Sequence, residues 1–294
     1  MKIFITGGSG LLGQYLNIGL NGKHEILTQY CSNPGNCIKF NSVRLSLEDF
    51  DGMEKIFNSF HPEIVIHAAA VSNAEKADQL PADKVYNINV NATLKISELC
   101  AKYSSKLIYF STDLVYAGYR GSTLKEDAKL IPISLYAETK LMGEMKIKQT
   151  FDNYIILREA LLIGFGLNHT TNNFHKMYAS LKRNEPVTLF TDQFRSPLAL
   201  HEAARMIEEL SVKNISGEIF NFCGNERLSR YELGEILCEE TGFDKNLLTG
   251  KTMEERKLNY KVADVSLNNE KLRSYGIQSK GVRDSIKEIL AKGL

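Results

Sequence analysis

The stretch KIFITGGSGLLG, residues 2–13, decides how this chain is read: an apolar run, Ile3, Phe4 and Ile5, ends at Gly7, Gly8, Gly10 and Gly13. The pattern predicts a strand, a tight turn and the start of a helix. A Cβ at these glycines would hinder the sharp turn, the approach of backbone to a pyrophosphate and the packing of helix on strand. The backbone N–H groups of Leu11, Leu12 and Gly13, at the helix start, would face phosphates. Two spacings fit, Gly8, Gly10, Gly13 as GxGxxG and Gly7, Gly10, Gly13 as GxxGxxG. Either alone is a weak signal, and the position directly after an N-terminal strand strengthens it. A glycine-rich turn without a ligand is the alternative.

Outward from this turn, Leu12, Leu16 and Leu20 recur at helical spacing. Strands are expected at 24–28, 62–70, 106–112 and 154–158, with helices at 47–60 and 82–103 and another beginning near Ser134. That alternation predicts an α/β chain, a Rossmann-type doubly wound parallel sheet with right-handed crossovers. Beyond Arg158 the rhythm loosens. A polar loop at 164–173, helices at 174–183, 201–212 and 229–241, a short strand at 187–190 and the run EIFNFCG suggest a smaller, irregular C-terminal substrate lobe. The expected division is a dinucleotide-binding domain over 1–158 and a lobe over 159–294, with segments near 191–212 returning to the first domain. Ligands of such sheets lie beyond the carboxyl ends of the strands, so Gly7, Ala68, Ala69, Ala70 and Ser111 to Asp113 are expected along one crevice.

With 294 residues, 43% hydrophobic and 24% charged, the composition is that of an ordinary globular protein. The net charge of +1, with Lys and Arg scattered, speaks against nucleic acid or an anionic membrane as partner. Five cysteines without a CxxC pair argue against a disulfide framework or a zinc site, and the six histidines show no metal-ligand spacing. No metal is expected. No apolar segment long enough for a signal peptide or membrane span is present, and the expected compartment is the cytoplasm.

Tyr136 and Lys140 stand at i and i+4 of a predicted helix, on one face, where an ammonium could lower the pKa of a phenol. The same spacing recurs at Tyr178 and Lys182. Only Tyr136 follows a strand ending in Ser111, Thr112 and Asp113, whose hydroxyls would emerge beside the cofactor.

TGGSGLLG, HAAA, and STDLVY followed by PISLYAETK occur in the order found in extended short-chain dehydrogenase/reductases, which this chain resembles over nearly its whole length. It is most similar to the dTDP-4-dehydrorhamnose reductases, on HAAAVSNAEKAD (67–78), STDLVYAG (111–118), TDQFRSP (191–197) and SLNNEKLRSYGI (266–277). The resemblance implies that Thr112 hydrogen-bonds a substrate carbonyl, Tyr136 donates the proton, and Lys140 holds the nicotinamide ribose while tuning Tyr136. Hydride would come from NADPH, with NADH as the alternative. Ala68, Ala69, Ala70 and Ser111 would join the glycine turn around the cofactor, and Asn172, Asn173 and Arg195 would hold a nucleotide-linked 4-keto sugar destined for polysaccharide. A homodimer is left open. An epimerase or dehydratase on the same fold, and a non-catalytic regulatory partner of methionine adenosyltransferase, are the competing readings.

The chain departs from those reductases in having no tryptophan where Leu161 stands, Ser46 where an aspartate is usual, and Lys261 and Val262 in place of arginine and proline. No acid follows the second strand at Gln29, Tyr30 or Cys31, which favours NADP over NAD; Lys39 or Arg44 would have to reach its phosphate.

Overall fold

The computed structural model describes residues 1–119 and 121–293. The chain runs β1 (Lys2–Thr6), α1 (Leu11–Leu20), β2 (Glu25–Tyr30), β3 (Ser42–Arg44), α2 (Phe50–Phe60), β4 (Ile64–His67), α3 (Ala74–Asp78), α4 (Ala82–Tyr86), α5 (Ala92–Tyr103), β5 (Lys106–Thr112), α6 (Leu135–Thr150) and β6 (Tyr154–Glu159). It continues with β7 (Leu162–Ile163), α7 (Asn173–Lys182), β8 (Val187–Phe190), β9 (Phe194–Arg195), β10 (Leu198–Ala199), α8 (Leu200–Val212), β11 (Glu218–Phe222), β12 (Leu228–Ser229), α9 (Arg230–Thr241), β13 (Leu248–Lys251), α10 (Glu270–Ser274) and α11 (Val282–Lys292).

Seven strands form one parallel sheet in the order β11-β6-β5-β4-β1-β2-β3. From β1 the chain first winds one way to β3, then crosses back to β4 on the other side of β1. The order therefore reverses between β1 and β4, and a crevice opens beyond their carboxyl ends. Gly7 leaves β1 and Ala68 leaves β4 at this point, on adjacent strands paired from Ile3 with Ile64 to Thr6 with His67.

Both faces of the sheet are covered, which is why its strands read as nearly continuous apolar runs. On one face Ile3, Ile5, Ile66, Ile108 and Leu157 pack against Leu12 and Leu16 of α1 and Ala203, Met206 and Ile207 of α8. On the other, Phe4, Val65, Leu107 and Tyr109 meet Phe57 of α2, Ile96 and Leu99 of α5 and Ile147 of α6. Fully burying one such side chain is worth about 1.5–3 kcal/mol. A further core lies beneath α7, α9 and α11, around Phe174, Leu181, Leu237, Val282 and Ile286.

Of two late segments placed in the C-terminal lobe by the sequence, one stays outside the main sheet and one joins it. β8 does not extend the main sheet; it pairs with β13 in a separate two-stranded ribbon. β11 does extend it, as an edge strand in register with β6, because Phe220 and Phe222 have a buried face to fill. The helical stretch expected at 82–103 is also interrupted by a π-helical turn at Asn87–Asn91. Asn89 anchors that turn: it accepts from Val71 N (2.8 Å) and donates to Val71 O (3.3 Å) and Thr139 Oγ1 (3.0 Å). Among the described residues, no helix is long and apolar enough to cross a membrane, and no group of three or more His, Cys, Asp or Glu could hold a metal ion.

Candidate active site

The glycine turn is built by close approach. Gly7 has φ +72°, and a Cβ there would lie 2.7 Å from Ala69 N; a Cβ on Gly13 would lie 2.1 Å from Gly7 O. Gly10 differs, since its Cβ would meet only Gly7 O, at 3.1 Å. The space in front of Gly10 is therefore open to a ligand, while Gly7 and Gly13 hold turn, helix and strand together. The first-turn N–H groups of α1 have no intrahelical acceptor and can receive an anion. These are the features a dinucleotide pyrophosphate needs, and the residues fit the group.

Side chains behind the turn fix its shape. Gln29 accepts from Gly7 N (2.9 Å) and donates to Leu45 O (2.5 Å), so it is occupied within the protein. Arg44 donates from Nε to Cys31 O (3.1 Å), which brings a guanidinium beside the end of β2. His67 is fully buried between the hydroxyls of Thr6 (2.7 Å) and Thr93 (3.0 Å). Burial, and secondarily the charge of Lys140, pushes its pKa down to about 3, so it is a neutral bridge. Thr6 Oγ1 in turn accepts from Ala69 N (3.3 Å), which holds the bend at Ala68 to Ala70.

Thr112 ends β5, and Tyr136 and Lys140 lie in the first turns of α6, which is capped by Ser134 accepting from Ala137 N (3.2 Å). Thr112 and Tyr136 line one cavity of about 220 Å³, with Ser72, Asn73, Asp113, Glu159, Leu161, Arg195 and Arg230 among its other walls. A second cleft, lined by Ala70, Val71, Lys76 and Leu80, shares Ser72 with it. Lys140 is buried behind them, its ammonium 4.0 Å from the centre of the Tyr109 ring.

The electrostatics differ from the sequence expectation that Lys140 acidifies Tyr136. Burial raises the Tyr136 phenol, the charge of Glu159 raises it further, and only the Thr112 hydroxyl draws it back. Burial brings Lys140 down to about 7, against the pull of Glu159 and Glu144. A poorly solvated lysine near neutrality is a weak acidifier, so the phenol keeps its proton.

Other predicted residues are placed differently from one another. Ser111 points to the opposite side of β5 from Thr112 and donates to Glu144 Oε1 (2.5 Å), within a buried pair of Glu144 and Arg158 (2.9 Å). Its hydroxyl is thus taken up in the core between β5, α6 and β6. Arg195 does reach the cavity wall, but its guanidinium is also committed internally. It donates to Phe194 O (2.6 Å), Val262 O (3.2 Å) and Ala263 O (3.4 Å), and its Nε is 3.7 Å from Asp113. A bidentate grip on a substrate anion is not free to form in this arrangement. Asn172 caps α7 by accepting from His175 N (2.8 Å), and Asn173 is exposed; neither lines the cavity.

Two wall residues escaped the sequence reading. Among the described residues Arg230 makes one side-chain hydrogen bond, from Nε to Gln193 Oε1 (3.0 Å), and it lines the cavity. Burial and the charge of Arg195 bring its pKa down to about 9. Its neighbour in sequence, Ser229, pairs with Phe194 across the antiparallel β9–β12 ribbon, which delivers Arg230 beside Arg195. Nothing local in the sequence announces that pairing. The strand expected at 154–158 stops one residue short of Glu159, a carboxyl at the carboxyl end of a sheet strand and so a signal legible in the sequence.

A seven-stranded parallel sheet with this reversal point, a glycine turn at it, and a Thr, Tyr and Lys at its carboxyl edge define an NAD(P)-dependent oxidoreductase of the extended short-chain dehydrogenase/reductase class. The family model described as "RmlD substrate binding domain" matches residues 1–294, and the chain belongs to that family. A dTDP-4-dehydrorhamnose reductase from Aggregatibacter actinomycetemcomitans is 28% identical over 84% of this chain and 81% of its own. Methionine adenosyltransferase 2 subunit beta from Pongo abelii is 26% identical over 98% of this chain and 87% of its own. Among solved structures, dTDP-4-dehydrorhamnose reductase from Bacillus anthracis in complex with NADP superposes with a TM-score of 0.85, at 22% identity over 99% of each chain.

Proposed function

We propose that this protein is an NADPH-dependent reductase of a nucleotide-linked 4-keto sugar, similar in activity to the dTDP-4-dehydrorhamnose reductases. The observation that carries the reading is the meeting of Thr112 and Tyr136 in one cavity, with Lys140 buried one helical turn behind. Bound NADPH would supply the hydride. Thr112 orients the substrate carbonyl, and Tyr136 gives its proton to the oxygen as charge develops there, a contribution of about 10²–10⁴ in rate. Lys140 holds the ribose, and a bound cofactor and substrate that exclude water sharpen its influence on Tyr136. The division into a cofactor-binding part over 1–158 and a substrate lobe over 159–294 belongs to this proposal.

Gly7, Gly10, Leu11, Leu12 and Gly13 would hold the pyrophosphate, with Ala68 to Ala70 along its flank. NADPH is favoured over NADH because no acid stands at Gln29 to Cys31, and Arg44 lies beside that segment. Arg230 is the better diphosphate partner, since Arg195 is held by backbone carbonyls and Asp113.

A non-catalytic regulatory role is the second reading, favoured by the methionine adenosyltransferase subunits among the relatives. NADPH oxidation against a panel of nucleotide-linked 4-keto sugars separates the two. Turnover of at least one conjugate, with the free keto sugar far poorer, is expected. Tight NADPH binding without turnover of any would leave the regulatory reading.

A further inference from the structure

The cavity contains a carboxyl for which the proposed reaction has no use. Glu159 ends β6, in register with Thr112 on β5, so the two side chains leave the sheet on the same side at its carboxyl edge. Its Oε1 is buried and has no hydrogen-bond partner among the described residues. A buried acceptor left unmet is costly, and such an atom in a cavity wall is satisfied when a ligand brings a donor to it. Leu161, two residues on, lines the same cavity and offers no polar group to the carboxyl.

The surrounding charges say what kind of donor fits. Asp113 faces Arg195 at 3.7 Å, the charge of Lys140 acts on Glu159, and Arg230 lines the same cavity. An ammonium on the substrate would meet like charge from Arg195 and Arg230, which both line the cavity. A neutral hydroxyl meets none. Neighbouring strands lie about 4.8 Å apart, so a sugar whose carbonyl rests on Thr112 presents the next ring position toward Glu159.

We propose that Glu159 is a specificity-determining residue: it receives a hydroxyl on the sugar carbon adjacent to the keto carbon, and the protein prefers hydroxyl-bearing 4-keto sugars over their deoxy counterparts. The proposal rests on the reductase reading above. It assigns Glu159 a contact with substrate and no part in proton transfer to the carbonyl.

The test uses two nucleotide-linked 4-keto sugars that differ only in a 3-hydroxyl, with NADPH, and reads the ratio of their kcat/KM values. A preference for the hydroxyl form of roughly 10- to 100-fold is expected, the scale of leaving a buried acceptor without its hydrogen bond. In Glu159→Ala the ratio should fall to near one, mainly through KM of the hydroxyl substrate. A purely structural role would lower both substrates together and leave the ratio intact, which would overturn the proposal, as would a wild-type ratio near one. If Glu159→Ala does not fold, Glu159→Gln decides by the same ratio, expected to fall partway. If neither sugar is reduced, the reductase reading fails. The ratio of the two dissociation constants, measured by calorimetry with NADP+ present, then judges Glu159 on its own.

Discussion

The chain carries the pattern Tyr-x-x-x-Lys twice, at Tyr136 and Lys140 in α6 and at Tyr178 and Lys182 in α7, and the two copies have little else in common. The first stands at the carboxyl edge of the sheet, with Thr112 and Glu159 in the same cavity wall and Lys140 buried. In the second, Tyr178 packs edge-on against Phe165 (4.8 Å between ring centres) and beside Phe243 (5.5 Å), and Lys182 lies 5.9 Å from its ring. Helical spacing puts each pair on one face; only the surrounding elements turn a pair into chemistry. The phenol of Tyr136 is held protonated by burial and by a neighbouring carboxyl, whereas Tyr178 fills an aromatic cluster.

Exchanging each tyrosine for phenylalanine breaks the comparison most sharply. Tyr136→Phe should lower kcat by about 10²–10⁴ while NADPH binding is kept. An effect of similar size is expected on stability from Arg195→Ala, which leaves buried Asp113 without its ion-pair partner. A loss of about 3–5 kcal/mol in urea unfolding is expected, and unchanged stability would show that the pair does not hold the cavity wall. Arg230→Ala, one strand pairing away, should instead leave unfolding nearly untouched and raise KM for the nucleotide sugar about tenfold. The two arginines thereby separate a wall from a ligand contact.

A smaller effect is expected from pH. Burial raises the Glu159 carboxyl from 4.5 to about 8, so the folded state keeps a proton that the unfolded chain loses. Wild-type stability therefore falls as pH rises across that window, and Glu159→Gln, with no proton to lose, should gain in Tm relative to it between about pH 5 and 7. Lys140, brought down from 10.5 to about 7, acts with the opposite sign and at higher pH. A Tm difference that stays flat from pH 5 to 7 would mean the carboxyl is ionised in the folded protein. Smallest of all, Tyr178→Phe should change stability by less than about 0.5 kcal/mol and kcat not at all.

How much of this was legible in the sequence depends on how far the partners are along the chain. The strand, turn and helix from Lys2 to Leu20 are specified by their own residues: apolar run, glycines, periodic leucines. The strand at Lys106–Thr112 and the pairing of Tyr136 with Lys140 are equally local. The cavity's far wall is not, because Arg230 arrives through the β9–β12 ribbon and Arg195 is held by carbonyls of Val262 and Ala263, 67 and 68 positions away. A sequence shows that Arg195 is a fork of donors but not which acceptors fill it. Likewise EIFNF reads as a strand, while its place at the edge beside β6 depends on which buried face remains open.

The account rests on Tyr136 as the residue that completes reduction at the cavity shared with Thr112. Its most direct test is a single-turnover reaction of enzyme loaded with NADPH deuterated at the transferred position, mixed with a nucleotide-linked 4-keto sugar. Deuterium should appear at C4 of the sugar with wild type and with Tyr178→Phe at the same rate, and at least about a hundredfold more slowly with Tyr136→Phe. Equal rates in wild type and Tyr136→Phe, or no transfer by wild type to any such sugar, would contradict it.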